Sequence, residues 1–133
     1  MSLTAYLDIT DLENNQNTPE VTVNDAHDIL AASIAGLLIH DMASDADYTL
    51  ATTGTPPFEW HNSRIEISDT GAFLVVGRNI IVPNKGKRYI LFNNTLQILT
   101  ITTAAGTGIA VGVGKTAQVY CDGTDVVRET ADV

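Results

Sequence analysis

The chain has 133 residues, and its 16 Asp and Glu residues against 7 Lys and Arg residues give a formal charge of −9 at pH 7. A chain of this length fits one ordinary domain, which buries roughly two thirds of the surface that the unfolded chain exposes. The acidic residues are concentrated in residues 8–69 and after residue 121. Such a surface repels phosphate, so nucleic acid is not expected among the partners.

The N-terminal residues lack the basic start and the apolar stretch of a secretory signal. We therefore expect the protein to be synthesised in a cytoplasm. The longest apolar run covers residues 29–39, which is short of the roughly 20 residues that cross a bilayer. We therefore expect no membrane span. The single cysteine, Cys121, has no partner in the chain for a disulfide and suits a reducing compartment.

Residues 1–20 predict an extended arm, because Tyr6, Leu7 and Ile9 are followed by a polar stretch too poor in apolar residues to form a core. An arm of this kind becomes ordered when it lies on a neighbouring subunit, or it remains a frayed terminus. The sequence leaves both possibilities open.

One amphipathic α-helix is predicted after the arm. Thr22 or Asn24 is a suitable N-cap, and acidic residues follow in the first turn, where they complement the helix dipole. Apolar and small residues then recur at spacings of three and four: Ala26, Ile29, Leu30, Ser33, Ile34, Leu37 and Leu38. This face is expected to pack either on the same chain or on the helix of another copy.

From residue 58 onward the hydrophobic period changes from about 3.6 to about 2, in short runs separated by turn residues. The runs cover residues 58–61, 64–68, 73–82, 89–93, 97–103, 109–113, 118–121 and 125–128. A further short strand is predicted from Tyr48 onward. About eight short strands at this spacing predict a mainly β fold, namely an antiparallel β-sandwich or jelly roll preceded by the arm and the helix.

The predicted organisation has three parts. Residues 1–47 form an arm and helix for attachment or oligomerisation, residues 48–57 form a linker, and residues 58–133 form the β-sandwich module. Apolar residues occupy both faces of the run at 97–103, which indicates that the helix or another subunit covers that strand.

The sequence does not match the residue spacing of known phosphate-binding, zinc-binding or nucleophile motifs. Gly-Lys-Thr at residues 114–116 resembles the end of a phosphate-binding loop, but Ile109 stands where the motif needs glycine, and a strand is predicted where it needs a helix. His27, His40 and His61 do not combine with other ligands in a zinc-binding spacing. No nucleophile elbow occurs. We therefore expect a non-enzyme without catalytic residues, cofactor or metal.

Two stretches resemble proteins of tailed bacteriophages. YLDI at residues 6–9, the Gln- and Asn-rich spacer, and VTVNDA at residues 21–26 leading into a Leu-rich helix resemble the N-terminal segment of an uncharacterised family of phage and prophage tail-associated proteins. The stretch from RYILFNNT at residues 88–95 through Gly123 is similar to the small β modules of phage fibres and spikes. The chain departs from that family by lacking a repetitive shaft and a separate receptor-binding head.

The resemblance implies a virion structural protein, made in the cytoplasm of the host bacterium, which forms a homotrimer or another homo-oligomer and contacts other virion proteins. It would serve as a fibre or spike base, a connector or a capsid decoration protein. The candidates for these interfaces are Tyr6, Leu7, Ile9, Leu30, Ile34, Leu37 and Leu38.

The alternative interpretation is a carbohydrate-binding module that recognises a glycan on the host surface. Its candidate stacking platforms are the aromatic rings of Trp60, Tyr89 and Tyr120. Trp60 fits an anchor of the core or of an interface more simply than a sugar platform.

Overall fold

The computed structural model of the chain describes residues 3–4, 6–12 and 17–130. In this part of the chain one α-helix, α1, spans Pro19–Ala35, and a short 3₁₀ turn spans Glu59–His61. The strands are β1 (Leu37–Asp41), β2 (Tyr48–Thr49), β3 (Arg64–Ser68), β4 (Arg78–Ile81), β5 (Lys87–Asn94), β6 (Leu99–Thr102), β7 (Ile109–Val111), β8 (Thr116–Cys121) and β9 (Val126–Arg128). The prediction of a mainly β chain with one helix is confirmed.

The helix α1 begins before the predicted N-caps and ends before the predicted last residues. Its N-cap is Thr18, and Pro19 starts the first turn, where the fixed φ of proline suits a helix and its missing N–H is not needed. The helix ends because Gly36 adopts extended backbone and β1 follows at once. The prediction that Leu37 and Leu38 continue the helix is wrong, because pairing with β3 places both residues in a strand.

The strands form two sheets, and most of their pairs are parallel. The five-stranded sheet has the order β1-β3-β5-β8-β9, and the four-stranded sheet has the order β2-β4-β6-β7. The pairs β1·β3, β3·β5, β2·β4 and β4·β6 are parallel, whereas β5·β8, β6·β7 and β8·β9 are antiparallel. The predicted antiparallel sandwich or jelly roll is therefore wrong in its strand directions. The physical reason is that most connections cross from one sheet to the other instead of folding back as hairpins.

The first six strands coil as a short solenoid of three rungs, each with one strand in either sheet: β1 with β2, β3 with β4, and β5 with β6. In the five-stranded sheet, Leu37 lies beside Arg64, and Arg64 lies beside Ile90. The residue numbers 37, 64 and 90 show that successive rungs take 27 and 26 residues. Each rung therefore repeats one level of a stack, as in solenoid proteins.

The chain direction reverses in the last level of the stack. The strand β7 folds back against β6, and β8 runs antiparallel to β5 in the other sheet. The strand β9 then extends the five-stranded sheet beyond β8 and has no counterpart in the four-stranded sheet. The open sheet edges are β1 and β2 at one end of the stack, and β9 and β7 at the other.

Two predicted strands are replaced by other structure. Residues 58–61 contain the 3₁₀ turn, and the run predicted at 73–82 is a strand only over Arg78–Ile81. In the first part of that run, the carboxylate of Asp69 accepts hydrogen bonds from the amides of Phe73 and Leu74, which hold the chain in a loop. The strand β1 lies in the segment predicted for attachment and β2 in the predicted linker, yet they pair with β3 and β4 of the β module.

One hydrophobic core lies between the two sheets. The five-stranded sheet contributes Ile65, Ile67, Leu91 and Val119, and the four-stranded sheet contributes Ile80, Leu99, Ile101 and Val111. These side chains stack in columns because parallel register places Leu38, Ile65 and Leu91 side by side on successive rungs. Full burial of such a side chain stabilises the fold by about 1.5–3 kcal/mol, so the columns hold the rungs together.

The buried side chain of Asn93 closes the corner at the end of β5. Its amide nitrogen donates to the carbonyl of Gln97 at 2.8 Å and to the carbonyl of Val111 at 3.0 Å. Its side-chain oxygen accepts hydrogen bonds from the amide and the hydroxyl of Thr95 at 3.1 and 2.7 Å. One side chain thus satisfies backbone groups of its own corner and of the neighbouring strand β7.

We expect Asn93→Ala to lower the free energy of unfolding by about 2–4 kcal/mol, because it leaves several buried backbone groups without a hydrogen-bond partner. Urea denaturation followed by circular dichroism measures this change. The matched control is Asn94→Ala, which removes an exposed side chain and should change the free energy by less than about 0.5 kcal/mol. Equal stability of the two variants would contradict the role of Asn93.

Candidate functional site: exposed apolar surfaces

The described N-terminal residues fold onto their own chain. Leu3 pairs with Thr10 as an antiparallel bridge, and the side chain of Leu7 packs against the core. The buried ring of His61 fixes this turn. Its Nδ1 accepts a hydrogen bond from the amide of Phe58 at 2.9 Å, so its Nε2 carries the proton and donates to the carbonyl of Leu7 at 2.8 Å. Burial also lowers the pKa of His61, which favours this neutral ring.

The prediction of an extended arm is therefore wrong for residues 6–10, because His61 and the core of the same chain hold them. The polar stretch at residues 13–16 lies outside the described residues. Among the interface residues predicted here, Leu7 packs against the core, Ile9 is half-buried, and Tyr6 is 65% exposed. Lys85 pairs with Asp8 at 3.1 Å beside Tyr6.

The helix α1 packs on its own chain along one side and leaves apolar residues exposed near its C-terminal end. Its buried residues are Thr22, Ile29 and Ala32. Leu30 and Ile34 lie four positions apart on one helix face and are 43% and 78% exposed.

The exposed apolar side of α1 continues onto the outer face of β1. Leu37 and Ile39 alternate outward on this edge strand, whereas Leu38 turns inward and packs against the core. Ile34 lines a cleft with Ile90 of the same outer sheet face, and Ile90 shares a row with Leu37 through Arg64. We call Leu30, Ile34, Leu37 and Ile39 the N-terminal apolar surface.

A second apolar surface lies on one side of the stack, where loops connect the five-stranded and the four-stranded sheets in either chain direction. The loops at 69–77, 95–98 and 112–115 make these connections at successive levels of the stack. Their large apolar side chains are between 46% and 82% exposed: Phe73, Val75, Val76, Leu96, Ile98 and Val113. We call these six side chains the loop ridge.

Backbone hydrogen bonds connect these loops to strands of the stack. The amide of Arg78, the first residue of β4, donates to the carbonyl of Ile98 in the second loop at 3.3 Å. The amide of Gly114 donates to the carbonyl of Asn93 at 2.9 Å, which joins the third loop to the end of β5. The sequence predictions missed this surface, although Leu96 and Ile98 stand in the run that has apolar residues on both faces.

The structure buries two of the three aromatic residues predicted to stack on sugar. Trp60 is 1% exposed and Tyr89 is fully buried in the core, so neither presents a ring face to solvent. Tyr120 is half-buried on the outer face of β8. Its hydroxyl and the ring of Tyr6 both lie close to Gly86, where a Cβ atom would stand 3.2 Å from the hydroxyl and 3.0 Å from the ring.

A buried lysine lies inside the core. Lys87 is 6% exposed, and its Nζ donates to the carbonyls of Asn62 and Arg88 at 3.1 and 3.0 Å. The same ammonium group lies 4.4 Å from the centre of the Tyr89 ring. Burial lowers the pKa of Lys87 to about 8. A nucleophile must meet its substrate, and this amine is enclosed, so its hydrogen bonds serve the fold.

The carboxylates at the corners also serve the fold. Asp45 accepts from the guanidinium of Arg78 at 2.9 Å and from the amide of Val75 at 3.2 Å, and these contacts hold the pKa of Asp45 below its usual value. Asp125 accepts from the amides of Thr107 and Gly108 at 2.9 and 3.0 Å, which likewise lowers its pKa. Each of these carboxylates ties one loop to another.

A cleft of about 300 Å³ lies on the side of the stack opposite the loop ridge. Neutral side chains line it, among them Thr49, Thr103 and Thr124. Among residues 3–4, 6–12 and 17–130, no three His, Cys, Asp or Glu side chains lie together in a way that could hold a metal ion. No helix in this described part is both long and apolar enough to cross a membrane.

Comparison of the chain with models of protein families, with curated proteins and with solved structures finds no match.

We expect the buried charge of Lys87 to make stability depend on alkaline pH. Its folded pKa of about 8 lies below the ordinary value of 10.5, so the folded state disfavours the proton. The resulting destabilisation is full below pH 8 and disappears as the pH rises through 10.5. The stability difference between the wild type and Lys87→Met should therefore shift in favour of the wild type by about 2 kcal/mol from pH 7 to about pH 9.5.

Urea denaturation at these two pH values measures that shift. The matched control is Lys115→Met, which removes an exposed lysine and should follow the wild-type pH dependence. If the free energy of unfolding changes equally between the two pH values in Lys87→Met and in the wild type, Lys87 carries no destabilising charge.

Proposed function

We propose that the chain is a non-catalytic structural protein of a tailed phage or phage-like particle. In this role it forms a homo-oligomer, such as a trimer, and serves as a fibre or spike base, a connector or a capsid decoration protein. The N-terminal apolar surface attaches it to another protein of the particle.

The observation that carries the proposal is the exposure of Ile34 and its neighbours on a surface that residues 3–4, 6–12 and 17–130 leave uncovered. Ile34 is 78% exposed, and Leu37 and Ile39 are 52% and 59% exposed on an edge strand. Exposed apolar patches of this kind mark interaction sites. The open edge of β1 adds unpaired backbone groups, which an extended segment of a partner can pair with.

Four titratable side chains form hydrogen bonds within the chain itself, which supports the same proposal. His61 and Lys87 bind carbonyls of their own chain, and Asp45 and Asp125 bind its loops. The resemblance of residues 6–9, 21–26 and 88–95 to phage tail, fibre and spike proteins points to a particle as the place of assembly.

We expect Ile34→Asp to abolish binding to the capsid or tail protein that carries the chain, because a carboxylate would be buried without a partner in an apolar contact. Light scattering on mixtures with the purified capsid and tail proteins measures the complex. The matched control is Val21→Asp, which places the same charge at a half-exposed site near the other end of α1. Wild-type chain that leaves the scattering of every capsid and tail protein unchanged would contradict the proposal.

A carbohydrate-binding module is the second candidate, and the placing of Tyr6 and Tyr120 around Gly86 favours a site there instead of at Trp60 or Tyr89. An exposed ring beside the paired charges of Lys85 and Asp8 combines a stacking surface with polar groups, as sugar sites require.

If this second candidate is correct, a glycan array should show a bound sugar whose signal falls at least about tenfold in Tyr6→Ala, the loss expected for about 1.4 kcal/mol of stacking energy. Trp60→Phe serves as the control, because it alters a buried ring and should leave the signal unchanged. An array without any bound glycan removes this candidate.

A further inference from the structure

The loop ridge extends across three levels of the stack. Its side chains come from loops at successive levels, and neighbouring strands in a sheet are about 4.8 Å apart. The loop at 69–77 carries Phe73, Val75 and Val76, the next loop carries Leu96 and Ile98, and the last carries Val113. The ridge therefore has the spacing of the rungs themselves.

The ridge lies in a part of the chain from which acidic residues are missing. Residues 70–121 contain no Asp or Glu and hold Arg78, Lys85, Lys87, Arg88 and Lys115, which are five of the seven basic residues. The rest of the sequence carries the acidic excess. Two copies of a chain with a charge of −9 repel each other wherever acidic surfaces meet.

Several carboxylates border the first loop of the ridge, and each is held by hydrogen bonds. Asp41 accepts from the amide and the hydroxyl of Thr70, and Asp47 accepts from the amide of Asn79. Asp69 is turned into its loop, where it accepts from the amides of Phe73 and Leu74. Asp45 is neutralised by the guanidinium of Arg78 at 2.9 Å. The ridge thus offers a second acidic copy an apolar contact whose bordering carboxylates are already hydrogen-bonded.

We propose that the loop ridge is the contact through which copies of this chain associate side by side, with their stacks aligned and their ridges facing one another. A copy offers a strip of the same spacing, the same apolar character and the same lack of acidic groups. A partner rich in basic residues would be attracted to the carboxylates outside residues 70–121 instead, and a nucleic acid would be repelled by the net charge. This inference rests on the proposed function, since it names the surface through which the homo-oligomer forms.

The test is the mass of the full-length chain in solution, measured by sedimentation equilibrium. The wild type at about 100 µM should sediment at twice the 14.2 kDa mass of the monomer or at a higher whole-number multiple of it. Leu96→Asp should sediment as the monomer at the same concentration, with an unchanged circular dichroism spectrum. A monomeric wild type, or a Leu96→Asp variant that keeps the wild-type mass, overturns the proposal.

The matched control is Ile34→Asp, which adds the same charge at a comparably exposed site away from the ridge. It should keep the oligomeric mass while it loses binding to particle proteins. If the wild type is monomeric but still binds a particle protein through Ile34, the ridge proposal fails and the proposed function stands. If the wild type is oligomeric but binds no particle protein, the ridge proposal stands and the proposed attachment to a particle fails.

A cross-linking variant tests the ridge without introducing charge, which matters if Leu96→Asp does not fold. Leu96→Cys places a thiol on the most exposed side chain of the ridge, and the native Cys121 is fully buried. Mild oxidation should convert most of Leu96→Cys to covalent dimers, whereas Val127→Cys on β9 should stay monomeric on a denaturing gel. Equal cross-linking of the two variants overturns the proposal.

Discussion

The structure depends on how the chain turns from one sheet to the other. At each corner, backbone amides and carbonyls leave the strand ladders and need new partners, because unpaired polar groups are costly inside a protein. Asp45 and Asp69 accept amides of the long loop that follows β3, and Asn93 joins its own corner to Val111 of the next level. These side chains occupy the inner side of the corners. The apolar residues of the same loops, such as Leu96, are left on the outer side, where they form a strip along the stack.

The local pattern of the sequence predicted most strands, but not how they pair. The run at 64–68 became β3 without change, since strict alternation of Ile65 and Ile67 with polar residues determines which side faces the core. Alternation is the same in parallel and antiparallel sheets, so the direction of pairing was decided by the corners, whose hydrogen bonds run between residues far apart in sequence. The strand β1 was missed because Leu37 and Leu38 continue the helical spacing of α1, and only their pairing with β3 overrides it. The rungs were not predicted for a related reason. The repeat of 27 and then 26 residues is a repeat of backbone position, and the residue types hardly recur.

The predicted interface residues stay a prediction. Ile34 and Leu37 were predicted as interface residues and are exposed in the structure, although Leu37 belongs to a strand. The loop ridge was missed because its residues are far apart in sequence and meet only when the rungs stack. The two apolar surfaces differ in their electrostatic surroundings. In the sequence, acidic residues such as Asp25 and Asp28 stand beside the residues of the N-terminal surface, whereas residues 70–121 lack them. This difference is the basis for proposing a different protein as the partner of the first surface and a copy of the chain as the partner of the second.

The unequal number of strands in the two sheets limits how the molecule can grow. At one end the edges β1 and β2 belong to the same rung, but at the other end β9 extends one sheet beyond the level at which β7 ends the other. One end is thus flush and the other is stepped, so a second copy placed in line cannot pair with both edges at once. End-to-end addition of rungs, a hazard of any open sheet edge, therefore meets a mismatch in one of the two sheets.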